Sequence, residues 1–259
     1  MKKSMKPYQH LATLYDSMNM DQFAVNMVNY TFRILQKLKH RPKSVLELCC
    51  GTGTAATMFA EHSLEVVGVD GSPFMIKEAR KKAKTKKLNI KFTNQVLPDL
   101  AVKEKGGRKI KKFDLVTSYF DSLNYLLTED DLKKCFRRVN EHLVPGGLFI
   151  FDMNTYYAFK TIWIKSTNAG FRDDLGWVWK AQLDNAARQV TLTAVFFAKK
   201  GRYYERFEEK HTEKAYPNGE IKRFLKAAGF EILGFYKAFR FRKPDTKTNR
   251  IAVVARKKA

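Results

Sequence analysis

Glu47 sits in an apolar run, Val45-Leu46-Glu47-Leu48, that leads at once into Cys49-Cys50-Gly51-Thr52-Gly53-Thr54. The pattern is a buried strand, a tight turn and the start of a helix. Gly51 and Gly53 lack Cβ atoms, so the backbone there can turn sharply and lie close against a ligand. The helix start adds unpaired N–H groups and the positive end of a dipole. A second apolar run, Leu64 to Asp70, also ends in a carboxylate, about 20 residues beyond the loop, where a parallel sheet brings the ribose of a nucleoside within reach. Asp70 can accept both ribose hydroxyls.

Two ligand classes fit such a loop. Gly51-Thr52-Gly53-Thr54-Ala55-Ala56 formally satisfies the dinucleotide fingerprint G-x-G-x-x-A. Glu47 argues against a pyrophosphate, which it would repel, and for an amino group, which it would attract. S-adenosylmethionine carries an amino group and a sulfonium, and no phosphate. The run Leu46 to Gly53 resembles motif I, L-[DE]-L-G-C-G-T-G, of the class I S-adenosylmethionine-dependent methyltransferases, with Cys49 where the first glycine usually stands. Asp70 resembles the acidic residue of motif II, and Leu143-Val144-Pro145-Gly146-Gly147 before an apolar strand matches the family's L-x-P-G-G. Tyr8, Ala12, Tyr15 and Asp16 match an N-terminal Y-x-x-x-A-x-x-Y-D segment that folds over the cofactor in many members.

The resemblance implies site residues. Glu47, with Cys49 and the Gly51 and Gly53 backbone, would take the amino-acid part of S-adenosylmethionine, Tyr15 lying near its methionine end. Asp70 and Gly71 would take the ribose. Met75, Gln95 and Val96 would line the adenine region; the acid that members usually carry near Val96 is missing, which leaves Asn94 or Gln95 to make that contact. Phe120 and Asp121 follow the fourth strand, where methyl group and acceptor should meet. Asp121 could hold or deprotonate an amine, since Phe120-Asp121-Ser122-Leu123-Asn124-Tyr125 is similar to the corresponding segment of small-molecule N-methyltransferases. The [DN]-P-P-[YFW] motif of base-amine methylation is absent, as is a Pro-Cys nucleophile. His211 and Glu213 share a strand face with Phe207 and are a second place for a base.

The elements that must position these groups alternate. Helices are expected over 6–18 and 20–39, then strand and helix in turn from 44 to 152, with Ser72-Pro73 and Thr128 as helix starts. Trp177–Leu183, Val190–Ala198 and Tyr203–Ala215 alternate with period two and are rich in aromatic residues, so they form an antiparallel insertion. A helix from Asn218 and a closing hairpin, Glu231–Phe241 with Arg250–Ala255, end the chain. The fold class is α/β: a seven-stranded, mostly parallel Rossmann-like methyltransferase sheet with helices on both faces. Four parts are expected: a helical cap over 1–42, a cofactor-binding core over 43–154, a β insertion acting as substrate lid over 155–216, and a return to the core over 217–259.

The chain has 259 residues, 44% of them hydrophobic, enough for a substantial core. No stretch resembles a transmembrane span or signal core, and three cysteines make a poor disulfide framework, which points to the cytoplasm. No Cys/His grouping has metal-ligand spacing. A net charge of +23 raises a nucleic-acid partner, although lysines such as Lys81, Lys82, Lys84, Lys86 and Lys87 point around a helix without forming a stripe. The sequence thus favours an enzyme that methylates N or O of a small molecule, as a monomer or homodimer. An RNA methyltransferase and a non-enzymatic or NAD-binding domain are the alternatives.

Overall fold

A computed structural model of the chain describes residues 8–165, 168–172 and 174–258. Five strands, β1 (Ser44–Leu48), β2 (Glu65–Asp70), β3 (Lys91–Asn94), β4 (Phe113–Ser118) and β5 (Leu143–Asn154), alternate with helices except between β3 and β4, which a loop joins. Four further strands follow: β6 (Asn168–Arg172), β7 (Leu175–Asp184), β8 (Gln189–Lys200) and β9 (Tyr203–Lys214). The last two are β10 (Phe230–Lys237) and β11 (Arg250–Lys257). The main sheet has seven strands in the order β10-β11-β5-β4-β1-β2-β3, and β11 alone runs against its neighbours. Strands β6 to β9 form a separate antiparallel sheet.

The helices are α1 (Leu11–Leu14), α2 (Gln22–Lys37), α3 (Thr54–Glu61), α4 (Pro73–Thr85), α5 (Glu129–Glu141), α6 (Tyr156–Ala158) and α7 (Asn218–Ala227). Strands buried on both faces read as near-continuous apolar runs, which is why β1, β2, β4 and β5 were legible. Leu46 and Leu48 of β1 pack with Phe136 of α5 and Phe224 of α7. Val45 packs on the other face, with Ala56 and Phe59 of α3 and Ile76 and Ala79 of α4. Helix α4 starts where expected, its Ser72 hydroxyl accepting from the Met75 N–H at 3.3 Å and Pro73 supplying a preset φ. Thr128 caps α5 in the same way.

Three differences from expectation have physical causes. The helix expected over 6–18 is a single turn, α1, in the described part. Tyr8 and Asn19 both sit at left-handed φ, 62° and 57°, and bracket it. Strand β6 was not expected. Its residues are short of β-formers and largely exposed, and pairing with β7 alone makes it a strand. Its Gly170 is required there, because a Cβ would lie 2.4 Å from the Trp177 indole. Finally, Pro145-Gly146-Gly147 lies inside β5 as an irregularity: pairing with β4 jumps from Phe113↔Leu143 to Leu115↔Leu148.

Gly68 in β2 shows how tightly the sheet seats its helices. A Cβ there would come within 2.7 Å and 2.8 Å of the Phe92 ring and 3.0 Å of the Cys50 sulfur. Gly68→Ala is therefore expected to cost about 1–3 kcal/mol by overpacking. Adding Phe92→Ala should recover part of that loss; chemical denaturation of the single and double variants measures both.

Candidate active site

The turn after β1 holds three residues at left-handed φ: Cys49 at 51°, Gly51 at 53° and Gly53 at 78°. Gly53 is needed on two counts, since a Cβ would also lie 3.0 Å from the Ala79 Cβ of α4. A Cβ on Gly51 would point into open space, so its backbone is what the turn presents. Cys49 carries a side chain in a conformation that costs L-residues roughly 1–2 kcal/mol, which explains why glycine is the usual choice there. Asp70 ties this turn to the next. Its Oδ2 accepts the Gly51 N–H at 2.8 Å and its Oδ1 the Ser72 N–H at 2.7 Å. Burial raises the Asp70 carboxyl above its usual range, and these two N–H groups pull it back.

Glu47 is buried, and its Oε2 has no hydrogen-bond partner among the described residues. Burial pushes its pKa up to about 8, against a lowering hydrogen bond from the Ala56 backbone and the more distant charge of Lys82. A buried carboxyl oxygen without a partner is costly, and an ammonium group is the natural remedy. Lys82 is already committed: its Nζ lies 2.7 Å from Asp16 Oδ2 and donates to the Thr54 hydroxyl.

That commitment fastens the N-terminal segment over the turn. Thr52 donates its hydroxyl to Asp16 Oδ1 at 2.6 Å, and Thr54 to Asp21 Oδ2 at 3.1 Å. Tyr15, one residue before Asp16, is held above its usual phenol range by burial and by the nearby Tyr8, Asp121 and Asp70. Among the strand-end carboxylates it is Asp70 whose charge acts on Tyr15.

The adenine side is less polar than expected. Met75 is buried. The Gln95 amide is spent on the Ala101 backbone, accepting from its N–H at 2.9 Å and donating to its carbonyl at 3.3 Å. Asn94 donates to the Asp70 carbonyl. Val96 is 65% exposed, and a Cβ on Gly71 would lie 3.5 Å from its Cγ2. An apolar face is offered here, with a Gln95 side chain already engaged.

Beyond β4 lies a second set of charges. Phe120 and Asp121 are consecutive residues at left-handed φ, 59° and 51°. Such strain needs fixing from outside. Asp152, at the end of β5, supplies it by accepting both N–H groups, at 2.8 Å and 3.1 Å. Arg250 at the start of β11 pairs with Asp152 and, at 2.7 Å, with Asp121 Oδ2. Its guanidinium lies 4.4 Å from the Phe23 ring centroid, and Phe23 stacks on Phe120. Asn154 donates its amide to Asp121 and, at 3.2 Å, to Glu213 Oε2. Asp121 is thus held in place by Arg250. His211 sits between two partners, Glu209 Oε2 at 3.3 Å from Nε2 and the Tyr125 hydroxyl at 3.1 Å from Nδ1. Tyr125 meets Tyr8 at 3.0 Å, and Glu209 also accepts the Tyr8 N–H.

Asp152, Asn154, Arg250, Tyr125 and Glu209 were not singled out in the sequence. One signal was present: Asp152 ends an apolar strand as Asp70 does. Arg250 reaches the site only through its register opposite Asn154, and nothing local announces that.

Comparison with known proteins follows this geometry. Residues 45–147 match the family profile "Methyltransferase domain". A Geobacillus sp. (strain WCH70) protein named "Putative methyltransferase" is 30% identical over 217 residues, 83% of this chain and 85% of its own. A crystal structure of an S-adenosylmethionine-dependent methyltransferase from Clostridium acetobutylicum superimposes with a TM-score of 0.85 at 28% identity, covering 98% of this chain and 100% of that one. The chain belongs to the class I S-adenosylmethionine-dependent methyltransferases. A third relative of this methyltransferase is the dTDP-3-amino-3,4,6-trideoxy-alpha-D-glucopyranose N,N-dimethyltransferase of Streptomyces venezuelae, 30% identical over 42% of this chain and 41% of that protein. Membership settles the alternative of a non-enzymatic or NAD-binding domain in favour of the enzyme.

The residues present suit the family's cofactor. The orphaned Glu47 oxygen fits its amino group, the open side of Gly51 leaves room for its amino-acid part, and Asp70 retains lone pairs for ribose hydroxyls. Glu47 also makes a sign-definite statement. Its pKa of about 8 in the folded chain lies above the ordinary glutamate value of 4.5, so its penalty on folding grows as pH rises between these values. Glu47→Gln is expected to stabilise the free protein at pH 8 by about 1–3 kcal/mol and to weaken S-adenosylhomocysteine binding. In the native protein, binding at pH 7 should release a proton from Glu47, which calorimetry in buffers of different ionisation enthalpy measures.

Proposed function

We propose that this methyltransferase methylates N or O of a small molecule, which binds between the end of β4 and the antiparallel sheet. The observation that carries this reading is the sign of the cleft. In a chain of net charge +23, the acidic side chains of Glu47, Asp121, Asp152, Glu209 and Glu213 are all buried there and Asp70 is close by, each an acid that a bound cation would satisfy and a bound phosphate would not. A phosphate backbone entering here would meet carboxylates on several sides, so RNA is the poorer acceptor. The lysine-rich loop before β4, by contrast, is exposed, and so are many of the lysines of α4. Nitrogen is supported by the relative named as an N,N-dimethyltransferase.

In this reading the antiparallel sheet is a lid. The cap segment packs against it through Leu11, Leu14 and Tyr15, which meet Leu175, Phe196 and Phe207. His10 stacks on Phe207 with ring centroids 5.0 Å apart. Glu209 ties lid to cap by accepting from Tyr8 and Leu11. Together they keep water from the reacting atoms.

Glu47 with the Gly51 and Gly53 backbone holds the amino-acid part of the cofactor, and Asp70 the ribose. When bound, S-adenosylmethionine would supply an electrophilic methyl group on a sulfonium whose leaving form is a neutral thioether. The chain's part is to hold the acceptor in line. His211 donates Nε2–H to Glu209, which leaves Nδ1 to accept the Tyr125 proton. An acceptor that arrives protonated passes its proton to the Tyr125 oxygen as that hydroxyl proton moves to His211. The three free cysteines suit a reducing compartment such as the cytoplasm.

Labelled S-adenosylmethionine offered with separate metabolite, RNA and protein pools is expected to label the metabolite pool. Label in RNA alone would overturn the acceptor class. Asp70→Ala is expected to weaken S-adenosylhomocysteine binding at least about 100-fold, or roughly 2.7 kcal/mol, by loss of the ribose contact and of the Gly51 tie. Near-native affinity would remove Asp70 from the site.

A further inference from the structure

Resting on the reading above, we propose that Glu213 is the specificity-determining residue of the acceptor site, and that it selects a cationic amine carrying no phosphate.

Glu213 is buried, and its one hydrogen bond among the described residues comes from the Asn154 amide. That same amide nitrogen serves Asp121, so two carboxylates converge on a single neutral donor. The neighbouring cation cannot serve both. Arg250 points its two nitrogens at Asp121 and Asp152 and makes no ion pair with Glu213. Two carboxylates therefore take the one guanidinium, and Glu213 is left without an ion pair among the described residues. Burial, and next the charge of Asp121, raise the Glu213 carboxyl well above its ordinary range, which is the response of an acid awaiting a cation.

The position is right for the acceptor. Tyr8 and Tyr125 join hydroxyl to hydroxyl at 3.0 Å, and the field of Glu213 reaches both rings. Tyr8 feels Asp70 as well. The Tyr125 hydroxyl also meets His211 at 3.1 Å, and His211 and Glu213 alternate onto one face of β9, so the tyrosine pair sits beside that face. An ammonium group placed there answers Glu213 and Asp121 at once. A phosphate placed there finds acids and no free cation, since the guanidinium of Arg250 is already paired with Asp121 and Asp152. This methyltransferase would in that respect differ from the relative whose named substrate carries dTDP.

Sinefungin tests the charge directly, because it carries a C–NH3+ where S-adenosylmethionine has S+–CH3. By calorimetry the native enzyme is expected to bind sinefungin at least about 10-fold tighter than neutral-sulfur S-adenosylhomocysteine, about 1.4 kcal/mol. Glu213→Gln should lose most of that preference and keep S-adenosylhomocysteine affinity within about 3-fold. Equal affinities in the native enzyme, or a preference undiminished in Glu213→Gln, would overturn the proposal. Glu213→Ala guards against an ill-folded glutamine variant; loss of S-adenosylhomocysteine binding in both would make Glu213 structural and likewise overturn it. Failure of the native enzyme to bind S-adenosylhomocysteine would instead defeat the cofactor site. Thymidine diphosphate, added to the S-adenosylhomocysteine complex, should show no saturable binding below about 1 mM; saturation there would overturn the exclusion of phosphate.

Discussion

One carboxylate accepting two backbone N–H groups shapes everything around it. Asp70 ends β2 and takes the Gly51 N–H from one turn and the Ser72 N–H from the next. Both turns are thereby set at the carboxyl end of the sheet, where doubly wound folds bind ligands. Helix α4 then starts from Ser72 at a defined angle and packs on Gly53 through Ala79. Each oxygen accepts one N–H here, which leaves acceptor capacity on the group that builds the cradle.

Electrostatics divides this protein into two regions of opposite sign. Its excess of cations lies largely on exposed loops and helix faces, where screening makes each charge cheap. Its carboxylates gather where the strands end and where water is scarce, and there each one is worth more. A sulfonium-bearing, amine-bearing cofactor is the complement of such a cleft. The cost appears in the weakened acidity of Glu47 and Glu213, whose carboxyls are both raised first by burial.

The same economy explains the strained turn after β4. Phe120 and Asp121 hold left-handed backbone that neither residue type favours. Asp152 compensates with two hydrogen bonds, and Arg250 neutralises Asp152 while gripping Asp121. Removing Arg250 would leave buried carboxylates uncompensated, a loss usually costlier than the pair's own worth. The strain is local, and residues about 100 positions apart in sequence hold it in place.

Short-range patterning determined much of this. Apolar runs of strand length, the Gly51 and Gly53 turn, the Ser72 and Thr128 caps and the carboxylates at strand ends are local chemistry, and they foretold the sheet, its cofactor and the placement of Glu47 and Asp70. Period-two alternation likewise announced β7, β8 and β9. Tertiary structure alone decided the rest, because a long-range contact leaves no local mark. Strand β6 exists through its partner. Gln95 was spent on a loop backbone instead of a ligand. Asp121 was locked in place once β11 delivered Arg250 beside it. Tyr8, Tyr125, His211 and Glu209 come from three distant segments, and only folding the antiparallel sheet against the cap brings them within hydrogen-bonding distance.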